Sequence, residues 1–443
     1  MLEPRDVHPE PQQISRASIR GGDGPLPVPR GQGTRILPST TEMAPPSSSA
    51  GRAGVEPRLR TVPPESPSSD APAIAPGAAT ARRLDGSSGP LIPTPIIRRR
   101  RGRFVLGTLA GTLTLAIVLG VTFGSVAISP SVLGEMTLNH LGLTSFTPTW
   151  NPSDETILFD LRLPRVIGAA LVGLALATAG ALFQGLLRNP LADSYVVGAS
   201  GGASLGAVIG IIISAPVAVL GFGIIPLAAF VGALGTTALV YQLARVGGRT
   251  PIVTLLLAGF AASTFCYYLV SFLLIVDDGL QLNLARISSW LLGGVTVSSW
   301  AQLAVVGPLI LLGAIGSLGL ARSLNAFSLG EEAAERLGIP VEREKTLTVV
   351  IGSLLTAAAV TISGLIGFVG LVIPHVVRLL VGPDHRLLLP SSALAGGAFL
   401  VVADLLARTV LAPAELPVGI LTAFLGGPYF LYLLRKTRRE YRL

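Results

Sequence analysis

After residue 103 the chain is built from apolar runs separated by short polar breaks. A helix needs about 20 apolar residues to cross the ~30 Å hydrocarbon core of a membrane. Windows that suit this lie at 104–126, 166–187, 195–213, 217–243, 252–276, 301–321, 346–363, 366–381, 392–411 and 417–434. The eighth is short and bounded by glycines. The breaks carry turn chemistry: Asn189-Pro190, Gly247-Gly248, Asp277-Asp278-Gly279 and Gly382-Pro383-Asp384. The pattern predicts an all-α polytopic membrane protein with about ten transmembrane helices over 98–443.

Residues 1–97 break this pattern. They hold 18 of the 34 prolines, with Ser, Gly and scattered Arg, and show no sustained period of 2 or 3.6. Such a segment cannot bury enough apolar surface to offset its ordering entropy, which predicts a disordered cytosolic tail. The tail is followed by Arg98-Arg99-Arg100-Arg101-Gly102-Arg103, directly before the first apolar run. That junction resembles the start of a signal peptide. The run is long and far from Met1, which favours a retained span.

Composition narrows the class. Of 443 residues, 50% are hydrophobic and 13% charged, against about 25% charged in soluble domains. A single water-soluble globule is excluded. A single cysteine, Cys266, excludes a disulfide scaffold. The net charge of +8 suggests nucleic acid until it is located. Residues 1–103 carry 15 Arg against 9 acids, and the remainder is nearly balanced. No nucleic-acid partner is expected.

Orientation follows from the basic residues. Ten spans put both termini on one side, and both are basic. Arg188, Arg245, Arg249, Arg322, Arg336, Arg343, Lys345, Arg378 and Arg386 then fall inside with the C-terminal cluster. Only Arg162, Arg165, Arg286 and Arg408 fall outside. Both termini are expected in the cytoplasm, and the protein in the plasma (inner) membrane of a bacterium.

Gly198, Gly202, Gly206 and Gly210 repeat every four residues in the third window. Such a stripe allows close helix packing, or it lines a pore. Ionisable residues within the windows are few. Asp404 lies four residues before Arg408, as an intrahelical ion pair would. His375 follows Pro374 and reads as a polar packing residue. Ion coupling, which places acids or His near the midplane, is disfavoured. Neither lysine follows a glycine, so no G-x-x-x-x-G-K-[ST] phosphate loop exists. Nucleotide hydrolysis would have to come from a separate subunit. The four histidines are scattered, and no metal-ligand cluster is expected.

Two segments face the aqueous sides. Between the sixth and seventh windows, Ser328 and Glu331 fit a capping box, and Glu331 and Glu332 suit a helix N-terminus. Ala333, Ala334 and Leu337 offer a small apolar face. Gly338 ends the helix, and Pro340 blocks its continuation. This short helix reads either as a docking knob or as a solvated connector. On the other side, Arg162-Leu163-Pro164-Arg165 opens the second span, and Arg408 nears the end of the ninth. These arginines could receive an acidic protein, contact lipid phosphates, or pair with Asp160 and Glu415.

Three stretches resemble one family. The first runs from Arg162-Leu163-Pro164-Arg165 to Gln184-Gly185-Leu186-Leu187-Arg188-Asn189-Pro190-Leu191-Ala192-Asp193. The second is Leu329-Gly330-Glu331-Glu332-Ala333-Ala334-Glu335-Arg336-Leu337-Gly338. The third runs from Gly364 to His375, then includes Asp384-His385-Arg386, Ala403-Asp404 and Glu415 to Ile420. Together they resemble the FecCD-type permeases of ABC importers for iron-siderophores, haem and cobalamin, over roughly 104–435. Ser194 departs from the pattern, because the family more often has Pro there.

The resemblance implies an ABC importer type II permease fold, paired with a second permease chain as a homodimer or paralogue heterodimer. Cytosolic ABC ATPase subunits, carrying ATP and Mg, would bind on one side. An extracytoplasmic substrate-binding protein would dock on the other. By this resemblance Ser328, Gly330, Glu331, Glu332, Ala333, Ala334, Arg336, Leu337 and Gly338 would couple to the ATPase. Arg162, Arg165 and Arg408 would meet the binding protein. The span from Leu255 to Leu274 would line the pathway. The chain itself would be no enzyme and hold no cofactor. A ferric siderophore is the expected cargo, with haem or cobalamin as alternatives. An ion-coupled secondary transporter, a siderophore exporter and a membrane scaffold are the rival classes.

Overall fold

A computed structural model describes residues 95–124, 128–143, 150–216 and 218–440. The tail read as disordered lies, up to residue 94, outside the described residues. Each apolar window contains a helix: α1 Pro95–Thr122, α2 Leu163–Leu186, α3 Ala199–Ile213, α4 Ile224–Ala244, α5 Ile252–Val276, α6 Trp300–Gly319, α7 Val341–Ser363, α8 Val369–Val381, α9 His385–Thr409 and α10 Val418–Glu440. Eight of them are long and apolar enough to cross a membrane; α3 and α8 are shorter apolar helices. At 1.5 Å rise per residue they reach only ~22 and ~20 Å.

The shortfall has a local cause. The third and eighth windows begin with apolar residues that are not helical. Gly198, at φ +90°, turns the chain into α3, and Phe368, at φ +68°, turns it into α8. Glycine adopts this conformation freely, whereas a bulky aromatic residue is strained there. Backbone groups at and beside both breaks find partners inside the protein, as surroundings of lipid favour. Gln184 Nε2, from α2, donates to the carbonyls of Ala192 (3.2 Å), Gly370 (3.3 Å) and Leu371 (3.0 Å). Thr356 Oγ1 donates to the Ser194 carbonyl at 3.3 Å, and the Ile366 amide donates to the Tyr195 hydroxyl at 3.2 Å. Ser194 donates its backbone N–H to Asp193 Oδ1 at 2.6 Å. A proline could not make that bond.

Two other boundaries shift. The fourth window starts late because Val219 and Phe222 pair across a tight turn before α4. The ninth starts early because the Asp384 carboxylate caps α9, accepting from the Arg386 amide at 3.1 Å.

Helix α2 is the buried centre, and glycines set its distance from its neighbours. A Cβ built at Gly173 would lie 2.1 Å from the Gly396 oxygen of α9, and one at Gly180 would lie 1.9 Å from the Gly370 oxygen of α8. The stripe on α3 faces α4. Added Cβ atoms would lie 2.2 Å from the Gly232 oxygen at Gly202, 2.1 Å from the Ala228 oxygen at Gly206, and 2.9 Å from the Ile225 Cα at Gly210. Gly198 approaches Thr236 of the same helix at 3.3 Å. Backbone obstructs Gly202, Gly206 and Gly210, so relief there requires helix displacement. Gly202→Ala is expected to destabilise the detergent-solubilised protein by about 1–3 kcal/mol, read from its thermal unfolding midpoint.

Candidate functional site

At one end of the bundle the displayed helix is Glu331–Arg336, six residues long. The predicted capping box between Ser328 and Glu331 does not form. Gly330, at φ +104°, takes the N-cap position, and no side chain caps the helix. Ser328 turns back to donate to the Asn325 carbonyl at 2.6 Å, closing the preceding helix Ala321–Phe327. Glu331 is drawn away from a capping role by Lys345, whose Nζ lies 2.6 Å from Glu331 Oε2. Gly338 ends the helix at φ +78°, while the Ile339 amide donates to the Ala334 carbonyl at 3.1 Å.

Lys345, which the sequence marks only as one of the inside cations, ties this end together. It is buried, and its ammonium also donates to Glu342 Oε1 at 3.0 Å and to the Thr250 carbonyl at 3.1 Å. Glu342 Oε2 in turn accepts from the Thr250 amide at 3.0 Å. The displayed helix, the start of α7 and the α4–α5 turn are therefore tied through one cation. Lys345 is the only lysine before Lys436, a signal that marks the residue but does not reveal its partners. Ala334 is buried, Ala333 is partly covered, and Leu329, Glu332, Glu335, Arg336 and Leu337 are exposed. That outer surface combines two leucines with charges.

Helix α2 carries the chain to the opposite end. There a π-helical turn, Ile157–Arg162, leads into α2 and turns Arg162 inward. Its Nη1 donates to the Val121 and Thr122 carbonyls at 3.1 and 3.4 Å. Trp300 Nε1 donates to the Phe159 carbonyl at 2.9 Å. Arg165 Nε donates to Asp404 Oδ1 at 3.0 Å, and its Nη1 donates to Glu415 Oε2 at 2.9 Å. Arg408 Nε lies 2.9 Å from Asp404 Oδ2, one turn away on α9. The fully buried Asp404 thus bridges two arginines. Glu415, rather than Asp160, is the second partner of Arg165. Arg162 and Arg408 are buried, whereas the Arg165 side chain keeps 22% of its surface. Arg165 and Glu415 line an open cavity of about 330 Å³ with Arg286 and Trp290.

A larger cavity, about 600 Å³, lies between α3, α5 and α10. Its walls include Tyr195, Tyr267, Phe368, Ile420 and Phe424, and no Asp, Glu, Lys, Arg or His lines it. Both helix breaks contribute, through Tyr195 and through Leu365, Gly367 and Phe368. Of the predicted pathway span, Tyr267 lines the cavity. Among the described residues, no group of three or more His, Cys, Asp or Glu could hold a metal ion.

The same chain path occurs in a solved ABC transporter captured inward-facing and assigned to the metal-chelate type. It matches with a TM-score of 0.65 and 31% identity, over 75% of this chain and 99% of that one. The class is that of an ABC transporter permease. The chain belongs to the FecCD transport family, whose profile matches residues 112–436. Its relatives include an ABC transporter permease protein of Bacillus subtilis, 42% identical over 77% of this chain and 97% of its own length. A cobalamin import permease of Halobacterium salinarum is 44% identical over 74% and 87%. A hemin transport permease of Yersinia pestis is 42% identical over 70% and 92%. The protein is the multi-span permease subunit of an ABC importer, a family in which ATP hydrolysis lies with partner subunits.

Proposed function

We propose that this permease carries an intact ferric siderophore inward across a bacterial plasma membrane. The observation that carries the reading is the cavity of about 600 Å³ without an ionisable wall beyond its tyrosines. A large chelate with its own ligands needs apolar contact and a few hydroxyls, and a strongly charged site would retain it. Haem or cobalamin is the second reading, favoured by relatives of 42% and 44% identity whose names carry those cargoes.

The chain pairs with a second permease chain, identical or paralogous, around this cavity. The end bearing Glu331 to Gly338 faces the cytosol, as do both termini, and receives the ABC ATPase subunits. ATP and Mg bind there, on the partners, and this chain holds no cofactor. The surface cavity beside Arg165 and Arg286 receives the extracytoplasmic binding protein. An acidic side chain of that protein competes with Glu415 for Arg165, and Arg162 and Arg408 hold the surrounding backbone in place. Transport then depends on different contacts with two states of the ATPase, not on charge within the membrane.

Lys345 transmits the ATPase movement, because its three acceptors join the displayed helix to α7 and to the turn that leads into α5. Lys345→Met is expected to leave ATP hydrolysis by the assembled complex in place and to lower the cargo moved per ATP several-fold. Lys345→Arg, which restores the cation, should recover part of that ratio. The cargo is tested by growth of a host lacking its own iron-chelate permeases. Supplied with this chain and its partners, such cells should grow on a ferric siderophore as sole iron source. Growth on haem alone, or cobalamin uptake alone, would replace that cargo by the alternative.

A further inference from the structure

A separate cavity of about 270 Å³ opens beside the displayed helix. It is lined by Gln184, Gly185, Arg188, Pro190, Leu324, Ser328, Arg378 and His385. Its lining contains unusually many polar atoms that are buried and lack a hydrogen-bond partner among the described residues. Two are donors, Nε and Nη2 of Arg378. Two belong to Gln184 and His385, namely Oε1 and Nε2. Burying half a guanidinium without an anion is strongly unfavourable, and so is leaving a buried amide oxygen unmet.

The chemistry of the second pair is fixed by neighbours. Gln184 spends Nε2 on three backbone carbonyls, so Oε1 is the remaining end of its amide. Asn325 Nδ2 donates to Asp384 Oδ1 at 2.8 Å, which turns Asn325 Oδ1 toward His385. That oxygen accepts from the His385 backbone N–H at 2.9 Å and from Nδ1 at 2.8 Å. An amide oxygen can only accept, so Nδ1 carries a proton, and in the neutral ring Nε2 then presents a lone pair. The cavity therefore offers a cationic donor fork and two acceptors. Arg188 adds an exposed guanidinium to the same lining. No carboxylate lines it, and Asp384 is engaged by Asn325 and the Arg386 amide.

A single ligand that is anionic and carries an O–H satisfies both sets at once. We propose that this cavity binds a protonated phosphate group, supplied either as inorganic phosphate or as the headgroup of a phosphomonoester lipid. Its oxygens accept from Arg378 and Arg188, and its hydroxyl donates to His385 Nε2 or Gln184 Oε1. Sulfate, and phosphodiester lipids whose headgroup has no hydroxyl, supply the oxygens without the proton and leave the acceptors unmet.

The test uses the full chain in detergent, without ATPase partners, so its outcome is independent of the transport reading. Thermal unfolding is followed in phosphate, sulfate and chloride at equal ionic strength and neutral pH. Sulfate and phosphate both stabilise proteins by exclusion from the surface, so the difference between them isolates binding. The midpoint should be higher in phosphate than in sulfate, and the gain should saturate with phosphate concentration. Equilibrium dialysis with radiolabelled phosphate should show saturable binding that unlabelled phosphate, but not sulfate, displaces. Binding should weaken at least about tenfold in Arg378→Met, and measurably in Arg188→Gln should the first variant fail to fold. In vesicles of phosphatidylcholine, a midpoint gain from phosphatidic acid but not phosphatidylmethanol, an anionic phosphodiester without a hydroxyl, and no gain from phosphate, would assign the lipid source. Equal effects of phosphate and sulfate together with equal effects of the two anionic lipids would overturn the proposal. So would unchanged phosphate binding by a folded Arg378→Met variant.

Discussion

Replacing Glu332 by Arg, or Gly338 by Val, is expected to abolish ATP-driven uptake while the protein still inserts and folds in the membrane. Glu332 is exposed on the displayed helix and makes no ion pair among those described. Reversing its charge changes the surface offered to a partner and leaves the Glu331–Lys345–Glu342 cluster intact. The new arginine also places positive charge at a helix N-terminus, an added cost of about 0.3–1 kcal/mol. Gly338 acts through the backbone. It sits at φ +78° with open space around its Cα, so valine meets strain and not a clash. A β-branched residue disfavours that conformation, and the chain must leave the helix along another path. Both variants should purify like the parent and bind the ATPase poorly. Normal uptake by both would remove this helix from the coupling role.

Asp404→Asn is expected to have the largest effect on stability. Its carboxylate lies between Arg165 and Arg408 at 3.0 and 2.9 Å, and it is fully buried. Removing one partner of a buried ionic cluster costs about 3–5 kcal/mol, because the charges left behind are desolvated and unpaired. Here Arg408 is buried and retains the Gly120 carbonyl at 3.2 Å as its other acceptor. Arg165 retains Glu415, so Arg408 bears most of the loss. The thermal unfolding midpoint should fall sharply for the single variant. Asp404→Leu combined with Arg408→Leu should recover much of it, since an apolar pair leaves no orphaned charge. A double variant as unstable as the single would show that packing, not charge pairing, sets the effect.

Periodicity located the helices but not their interruptions. A hydropathy window treats Tyr195 to Val197, or Ile366, as span because those side chains are apolar. Backbone direction at Gly198 and Phe368 decides otherwise, and only glycine carries a hint of it. Local spacing served well where partners are close in sequence. Asp404 and Arg408, four apart, form the expected pair, and Gly338 ends its helix. It failed where partners are distant. Ser328 and Glu331 have the spacing of a capping box, but Asn325 and Lys345 hold them instead. The link from Lys345 to Thr250 spans 95 residues, beyond the reach of any local pattern. Gln184, read only as part of a motif, joins both helix breaks through an amide whose partners lie 8, 186 and 187 residues away.

ATP-dependent uptake by the assembled transporter tests the proposed import most directly. The chain would be reconstituted into proteoliposomes with its ATPase and binding-protein partners, and labelled ferric siderophore, haem and cobalamin offered in turn. Uptake of the ferric siderophore is expected to require both ATP and the binding protein and to be lost in Glu332→Arg. Flux of any cargo that persists without ATP and follows an ion gradient would contradict that expectation.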